Sequence, residues 1–239
     1  MKSTLKLTAA LVPLFAVCCA IADDAGPKPT ASLPAVSVQE ITTADPSGYA
    51  TWIATANENF KAAGGPENYT HVYEATIAGD ETGRVFAVRF ADSVAEIAKN
   101  ADAIDKIPER SEILGHLAAI RKLGASSLLK AVYFEGGSKG EWLFITDAQV
   151  SDEAAYVKAL GALRGLLDSH DFKDIKLNVF RVLAGRSNHS HEVVISAPSH
   201  ERIAAFMDTM TSSWASEWLA GLVPIRTVVH NGIYHEISK

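Results

Sequence analysis

The sequence has very little cysteine: among 239 residues there are two, Cys18 and Cys19, and both lie in an N-terminal segment that we predict to be cleaved. The mature chain would then contain no thiol, which excludes disulfide bonds, thiol catalysis and cysteine-ligated zinc. Its stability must therefore come from an ordinary buried core. The sequence also lacks the G-x-S-x-G, P-loop, H-E-x-x-H and G-x-G-x-x-G motifs, so the chemistries that depend on them have no support.

Positive charge is scarce as well. Once Lys2 and Lys6 are removed with the N-terminal segment, 20 basic residues face 28 acidic ones, a net charge of −8. No basic run or stripe offsets this balance. We therefore expect no nucleic-acid partner and, after cleavage, no membrane partner.

Residues 1–22 have the pattern of a secretory signal peptide. Two lysines precede an apolar stretch, residues 7–20, that is too short for a membrane span and is interrupted by a proline. Small residues at positions 20 and 22 then predict cleavage before Asp23. An uncleaved anchor and a lipoprotein attached at Cys18 or Cys19 are the alternatives. We expect the protein to be periplasmic or secreted.

The rest of the sequence repeats itself. Residues 75–98 align without a gap on residues 181–204, with seven identities in 24 positions. An internal repeat constrains the architecture before any other feature is considered. We therefore divide the mature chain into a flexible leader (23–34), a first repeat (35–135), a linker (136–140) and a second repeat (141–239).

Each repeat has the predicted order strand, helix, strand, strand, helix, strand. Asp45 and Asp152 are predicted N-caps of the first helices, and residues 79–83 are a predicted hairpin turn. The second helices are predicted over 93–123, with an interruption near Pro108, and over 199–222. A βαββαβ order predicts an α+β fold of two tandem ferredoxin-like units. Each unit leaves one sheet face open, so we predict that the two sheets cover each other.

The chain resembles the dimeric α/β-barrel superfamily, which contains the antibiotic-biosynthesis-type monooxygenases. The resemblance is carried by the βαββαβ order in both repeats, by the interrupted second helices and by the strand endings A-V-Y-F (131–134) and G-I-Y-H (232–235). It implies an intrachain dimeric α/β barrel. In that superfamily the barrel interior binds small ligands, and some members carry out oxygen or haem chemistry, although a fold alone does not transfer an activity.

Strand alternation selects the side chains that face the barrel interior. A pocket with apolar walls and a few polar groups is the usual composition of a small-molecule site. The alternative is that the acidic residues are solvated strand ends and the tyrosines only pack the sheets. The predicted ligand-binding residues are Glu40, His71, Tyr133, Asp147, Arg181, His230 and Tyr234.

Three of these residues, His71, His230 and Tyr234, are also candidates for catalysis, because a histidine beside a carboxylate can act as a general base. Aligning the repeats pairs Tyr133 with Tyr234, which favours a packing role for both. His71, His230 and Arg181 each occur in one repeat only, as a single asymmetric site would require.

A metal site at His189 and His191 is a further hypothesis, because side chains two apart on a strand share a face. The segment aligns with the hairpin region of the first repeat, however, and spacing places no third ligand. We therefore predict no metal ion.

Three functional interpretations follow. The favoured one is an exported single-chain pseudo-dimer, a monomer or a homodimer in solution, that binds a small and largely apolar ligand between its repeats without a resident cofactor. The second is an oxygenase-like enzyme, either cofactor-independent or haem-dependent. The third is a structural or interaction module whose interior is filled.

Overall fold

A computed structural model describes residues 33–66, 70–137, 141–185 and 188–238. The predicted signal peptide, most of the predicted leader and residues 138–140 of the predicted linker lie outside the described residues. Within the described residues, no helix is long and apolar enough to cross a membrane. The elements are β1 (Ala35–Thr42), α1 (Pro46–Ala62), β2 (Thr70–Ile77), β3 (Val85–Ala91), α2 (Val94–Asp105), α3 (Arg110–Ile120), β4 (Lys122–Phe134), β5 (Trp142–Val150), α4 (Glu153–Ser169), β6 (Lys176–Gly185), β7 (His191–Ala197), α5 (His200–Thr209), α6 (Ser213–Leu222) and β8 (Arg226–Glu236).

Short polar side chains begin the helices at equivalent places in the two repeats. The carboxylates of Asp45 and Asp152 accept hydrogen bonds from the first turns of α1 and α4, and the hydroxyls of Ser93 and Ser199 do the same for α2 and α5. Each satisfies a backbone N–H that has no partner within the helix. The predicted caps at Asp45 and Asp152 are confirmed.

The second helix of each repeat is interrupted, as predicted. In the first repeat α2 ends at Asp105 and α3 begins at Arg110, on either side of Pro108. The predicted end of this helix at residue 123 is wrong, because Lys122 already belongs to β4. Leu123 pairs with Ile41 of β1, and the side-chain amide of Gln39 donates to the carbonyls of Gly124 and Ala125. Sheet pairing thus outweighs the helical pattern of these residues.

The eight strands form one closed antiparallel barrel in the order β1-β3-β2-β8-β5-β7-β6-β4. Within each repeat the sheet order is the same, with the first strand between the third and the fourth. Two seams join the repeats: β2 pairs with β8, and β4 pairs with β6. The α+β fold of two ferredoxin-like units in an intrachain barrel is confirmed, and the two sheets cover each other by joining at both edges.

The pairing also fixes the strand directions. β1 is antiparallel to β4, β4 to β6, β6 to β7 and β7 to β5, so β1 and β5 run in the same direction along the barrel. Equivalent residues of the two repeats therefore lie at the same end. We call the end at which β1 and β5 finish the Asp147 end, and the opposite end the His71 end.

The helices cover the outside of the barrel. In the second repeat, Tyr156, Leu160 and Leu163 of α4 pack against outward side chains of β6 and β7 in the largest buried cluster. In the first repeat, Tyr49 and Ile53 of α1 form a smaller cluster with the outer faces of β2 and β3. Because these clusters bury the outer faces, the inner faces are left to line the interior.

Candidate functional site

The barrel encloses a cavity of about 550 Å³. Period-two alternation turns Val36 and Val38 of β1 inward, and the neighbouring strands contribute apolar side chains in the same way. The described side chains therefore leave the interior unfilled, unlike in the third functional interpretation. The apolar walls are formed by Val36, Val38, Phe86, Val88, Leu129, Leu143, Ile145, Phe180 and Val194.

The lining carries carboxylates at both ends of the barrel, and one of them, Glu40, is paired with the guanidinium of Arg84. Among the described lining residues there are carboxylates but no lysine and no arginine. Low-dielectric walls focus the field of such charges into the cavity, which favours neutral or cationic molecules over anionic ones. The lining carboxylates are Glu40, Glu81, Asp92, Glu141, Asp147 and Glu192.

A cluster of two imidazoles and two carboxylates lies at the Asp147 end. Asp147 of β5 lies opposite His230 of β8, and the Nδ1 of His230 is 3.8 Å from Asp147 Oδ2. The Nδ1 of His189 is 3.7 Å from the same oxygen. On its other side, His189 Nε2 lies 3.1 Å from Glu192 Oε1. One carboxylate oxygen thus faces two imidazole nitrogens.

Burial controls the protonation of this cluster. Desolvation, assisted by the nearby charge of Glu192, raises the pKa of Asp147 to about 7, and the two histidines oppose that rise. Desolvation alone would lower the pKa of His189, but its hydrogen bond to Glu192 and the charge of Asp147 raise it above its ordinary value. Asp147 therefore exchanges its proton in the neutral range.

Tyr234 contributes a phenol close to this cluster. Its hydroxyl donates to Glu81 Oε2 at 2.7 Å. Desolvation and the hydrogen-bonded Glu81 carboxylate raise the pKa of Tyr234 far above its ordinary value. Tyr234 is therefore a neutral hydrogen-bond donor at every physiological pH.

Ser196 places a hydroxyl on the cavity wall. The residue is 1% exposed, and its Oγ forms no hydrogen bond with any described residue. An unsatisfied buried hydroxyl costs on the order of 1–3 kcal/mol. A polar group of a bound molecule, or a water molecule, would remove this cost.

The His71 end carries a hydrogen-bonded pair of a histidine and a carboxylate. The Nδ1 of His71 is 2.7 Å from Glu236 Oε1, and Glu236 is buried. The hydroxyl of Ser238 donates to the same carboxylate oxygen at 2.9 Å. Together with the edge-to-face contact of Phe90, these bonds fix the orientation of the His71 ring.

Four of the seven predicted ligand-binding residues line the cavity: Glu40, His71, Asp147 and Tyr234. A fifth, His230, adjoins it through Asp147, while its Nε2 lies 3.1 Å from the carbonyl oxygen of Ala78. The predicted interior positions of Arg181 and Tyr133 are wrong.

Arg181 is on the outer face, where it forms an ion pair with Glu153 at the start of α4. The gapless alignment misplaced it by one residue. In the structure Glu74 lies opposite Val85 and Arg181 lies opposite His191, so the second hairpin is one residue shorter than the first. A slip of one residue moves a strand's side chains to the other face.

Tyr133 points outward because of a β-bulge. The pairing of β4 with β6 shifts between Ala131 and Tyr133, so alternation is interrupted and Phe134 takes the interior position. Desolvation and the 2.6 Å hydrogen bond to Glu135 raise the pKa of Tyr133 to about 12. Leu129 lies opposite Val36, and Tyr234 lies opposite Leu143, which is the equivalent of Val36 in the second repeat. The residue of the first repeat that is equivalent to Tyr234 is therefore Leu129 and not Tyr133.

Sequence interpretation missed Glu192, Glu81 and Ser196, and it considered His189 only as a metal ligand beside His191, a site that it rejected. Side chains two residues apart on a strand share a face, so an inward Val194 on β7 would have identified Glu192 and Ser196 as inward too. Nothing in the strand pattern identifies Glu81, which lies in a short 3₁₀ turn (Gly79–Glu81), and His189 precedes β7, so strand alternation does not describe its direction. His191 does not join His189 in the cluster: its Nε2 lies 2.8 Å from Glu153 on the outside.

Comparison with known proteins identifies the fold. No family model matches the sequence, and no curated protein matches it. Solved structures do match: a candidate monooxygenase from Lactobacillus acidophilus NCFM aligns at 10% identity and a TM-score of 0.54, covering 85% of this chain and 93% of the other. A mutant chlorite dismutase from Candidatus Nitrospira defluvii aligns at 10% identity and a TM-score of 0.51, covering 87% and 92%.

A heme-binding protein from Thermus thermophilus aligns at 6% identity and a TM-score of 0.51, covering 85% of this chain and 91% of the other. At such identities the likeness concerns the fold alone. The chain thus has the dimeric α/β-barrel fold, with both halves in one polypeptide.

Proposed function

We propose that this protein binds a small, largely apolar molecule inside the barrel, and that the molecule is neutral or cationic. The observation that carries the proposal is the 550 Å³ cavity, with its apolar walls and acidic ends. Apolar walls supply affinity through burial, and the few polar groups fix orientation. The hydroxyl of Ser196 and the phenol of Tyr234 are the neutral groups that would contact the ligand.

Binding of Nile red, a neutral apolar dye, tests this proposal. We expect the dye to bind one site per chain and Val194→Trp, which fills the cavity, to weaken binding at least tenfold. Val223→Trp is the matched control, because Val223 is 75% exposed on the outside. Equal binding by the two variants would place the dye elsewhere and refute the proposal.

Competitors of equal chain length test the charge preference. A long-chain alcohol and an alkyl trimethylammonium should displace Nile red, whereas the corresponding fatty acid should need at least a tenfold higher concentration. Effective displacement by the fatty acid would contradict the electrostatic part of the proposal.

The second candidate is an oxygenase-like enzyme. It is favoured by the fold shared with the monooxygenase-like and heme-binding neighbours and by the polar groups in the cavity. In a cofactor-independent form, His230 would accept a proton beside the cavity, and the Tyr234 hydroxyl would turn from Glu81 to donate its hydrogen bond to an anionic intermediate. His71 would act only at the opposite end.

Haem fits these residues in part. His71 resembles a haem ligand, because its Nδ1 is held by a carboxylate, and haem bound there would supply redox chemistry. The described lining has no lysine or arginine for the two haem propionates. We therefore expect hemin titration to give no shifted Soret band. A shift that His71→Ala abolishes, and the exposed control His116→Ala retains, would favour haem over the neutral-or-cationic ligand.

We also propose that the protein is exported. The support is the signal-like pattern of residues 1–22. Expression of the full chain in a Gram-negative host should give a periplasmic protein whose mass corresponds to an N-terminus at Asp23. A full-length cytoplasmic product would contradict this.

A further inference from the structure

We propose that Asp147, His189 and His230 form a binding site for one divalent transition-metal ion at the Asp147 end of the barrel. The site does not depend on the proposed apolar ligand. Asp147, His189 and Glu192 already offer ligand atoms within 4.8 Å of one another. The geometry points to the two histidines and Asp147 as ligands, with Glu192 as a supporting residue.

The distances are those of atoms that share an ion. His189 Nδ1 and His230 Nδ1 lie 3.7 and 3.8 Å from Asp147 Oδ2. Hydrogen bonds between nitrogen and oxygen are shorter, about 2.7–3.2 Å. Two ligand atoms that are each ~2.1 Å from a tetrahedral ion are roughly 3.4 Å apart, so Asp147 Oδ2 could share an ion with His189 or with His230 after small shifts. His230 is not among the residues whose ligand atoms all lie within 4.8 Å of one another, so binding by all three residues would require the His230 ring to move toward His189.

In both His189 and His230, Nδ1 faces Asp147 and the other ring nitrogen, Nε2, lies close to an oxygen atom, as in metal-binding histidines. The Nε2 of His230 lies 3.1 Å from the Ala78 carbonyl oxygen, which can only accept, so the hydrogen is on Nε2. In the neutral imidazole, the Nδ1 of His230 then carries a lone pair, and this buried atom forms no hydrogen bond with any described residue. The Nε2 of His189 lies 3.1 Å from the Glu192 carboxylate. Carbonyl and carboxylate partners of this kind orient metal-ligating imidazoles.

The fold brings the three side chains close together before any ion binds. Asp147 and His230 are cross-strand partners on β5 and β8. The residue after His189, Ser190, is tied to β5, since its N–H donates to the Ala148 carbonyl at 3.1 Å and its hydroxyl accepts from the Val150 N–H at 2.9 Å. All three proposed ligands are mostly buried, with side-chain exposures of 17%, 11% and 26% for Asp147, His189 and His230.

The first repeat shows how a carboxylate at this position is otherwise neutralised. The strand register makes Glu40 the equivalent of Asp147. Glu40 binds the guanidinium of Arg84 at 2.8 Å. Asp147 forms no ion pair with a lysine or arginine among the described residues, and it faces two imidazoles instead. A cation from solution would take the place that Arg84 takes in the first repeat.

Two imidazoles and one carboxylate are a donor set suited to Zn²⁺ or Fe²⁺ and poorly suited to Mg²⁺ or Ca²⁺. Three protein ligands leave at least one coordination position open. Asp147, His189 and Glu192 line the cavity, so the open position would be reached from the interior. A molecule in the cavity could then bind the ion directly.

Metal binding to the chelator-stripped full chain tests the site. Isothermal titration with Zn²⁺ should give one equivalent per chain, and Co²⁺ should produce visible ligand-field bands. Asp147→Asn and His230→Ala should each weaken Zn²⁺ at least a hundredfold, and Glu192→Gln about tenfold. His170→Ala is the matched control, because His170 lies on the exposed end of α4, and it should bind within twofold of the wild type.

Thermal unfolding keeps the result interpretable if a variant folds poorly. Zn²⁺ should raise the unfolding temperature of the wild type and of His170→Ala but not that of His189→Ala, whose change lies outside the strands. Absence of Co²⁺ bands in the wild type, or unchanged bands in folded His230→Ala, would overturn the proposal. Nile red binding measured in chelator separates this outcome from failure of the apolar-ligand proposal.

Discussion

At the scale of single residues, Glu153 connects three elements on the outside of the second repeat. It begins α4, forms an ion pair with Arg181 of β6 and accepts from His191 of β7 at 2.8 Å. The Arg181 hydrogen bonds, more than those of His191, hold the pKa of Glu153 below its ordinary value of 4.5. The native state therefore favours the ionised carboxylate.

We predict that Glu153→Gln lowers the free energy of unfolding by up to about 1 kcal/mol at neutral pH, a modest value because the pair is partly exposed. The contribution of an acid with a depressed pKa is present above its unfolded pKa, near 4.5, and is lost as the pH falls through the lower folded pKa. Denaturant unfolding of both proteins should thus differ at pH 7 and converge as the pH falls below the lowered folded pKa of Glu153. A difference that persists in acid would contradict this.

Single residues also show where prediction from the sequence succeeds and where it fails. Glu40 and Asp147 were correctly placed in the interior because β1 and β5 alternate without interruption up to these residues. Arg181 was misplaced because the coincident Ala-Gly pairs at 78–79 and 184–185 concealed a one-residue difference in hairpin length. Only the backbone pairing reveals such a difference.

At the scale of elements, the N-caps are the local signals that hold most reliably. Asp45 and Asp152 cap equivalent helices through their carboxylates, at 2.9 and 3.0 Å. A side-chain cap needs only its own helix turn, so tertiary context does not override it.

We predict that Asp152→Ala lowers the free energy of unfolding by about 1 kcal/mol, because an N–H of the first turn of α4 loses its acceptor. Asp152→Asn is the matched control: an asparagine oxygen can accept the same bond, so the loss should be smaller. Urea titrations followed by circular dichroism measure both. Equal losses in the two variants would mean that charge, and not capping, accounts for the effect.

The sequence could not predict where the strands depart from regular pairing. The bulge in β4 turned Tyr133 outward, and a second irregularity in β8 lies directly beside Asp147 and His230. A bulge depends on the register that two strands adopt together, so neither strand alone contains the signal. The early start of β4 has the same origin, since its first residues are held by β1.

At the scale of the whole molecule, closure of the barrel couples the two repeats. Separating them would break both seams, leave four strand edges unpaired and open the apolar cavity to water. Each of these changes is unfavourable. The repeats are therefore unlike independent domains joined by a linker.

We predict a single cooperative unfolding transition. Trp52 lies in the first repeat and Trp218 in the second. Variants that retain only one of these tryptophans should each give a fluorescence midpoint that coincides with their own circular-dichroism midpoint. A fluorescence midpoint displaced from the circular-dichroism midpoint in either variant would show that one repeat melts first.

The sequence predicted this architecture well because duplication doubles every signal: two weak βαββαβ patterns reinforce each other. It placed Asp147 and His230 in one site, but it could not predict that His189, from the segment before β7, joins them on β5 and β8. These parts of the chain meet only when the barrel closes.

Placing both halves on one polypeptide has a consequence for how such a protein can change. In an association of two identical chains, each substitution is introduced twice, on opposite sides of the twofold axis. In the fused chain Glu40 could acquire Arg84 while Asp147 acquired His189 and His230. A barrel that began with two identical halves can in this way carry one asymmetric cluster of polar side chains per molecule. Such a cluster would give a defined orientation to whatever occupies the interior.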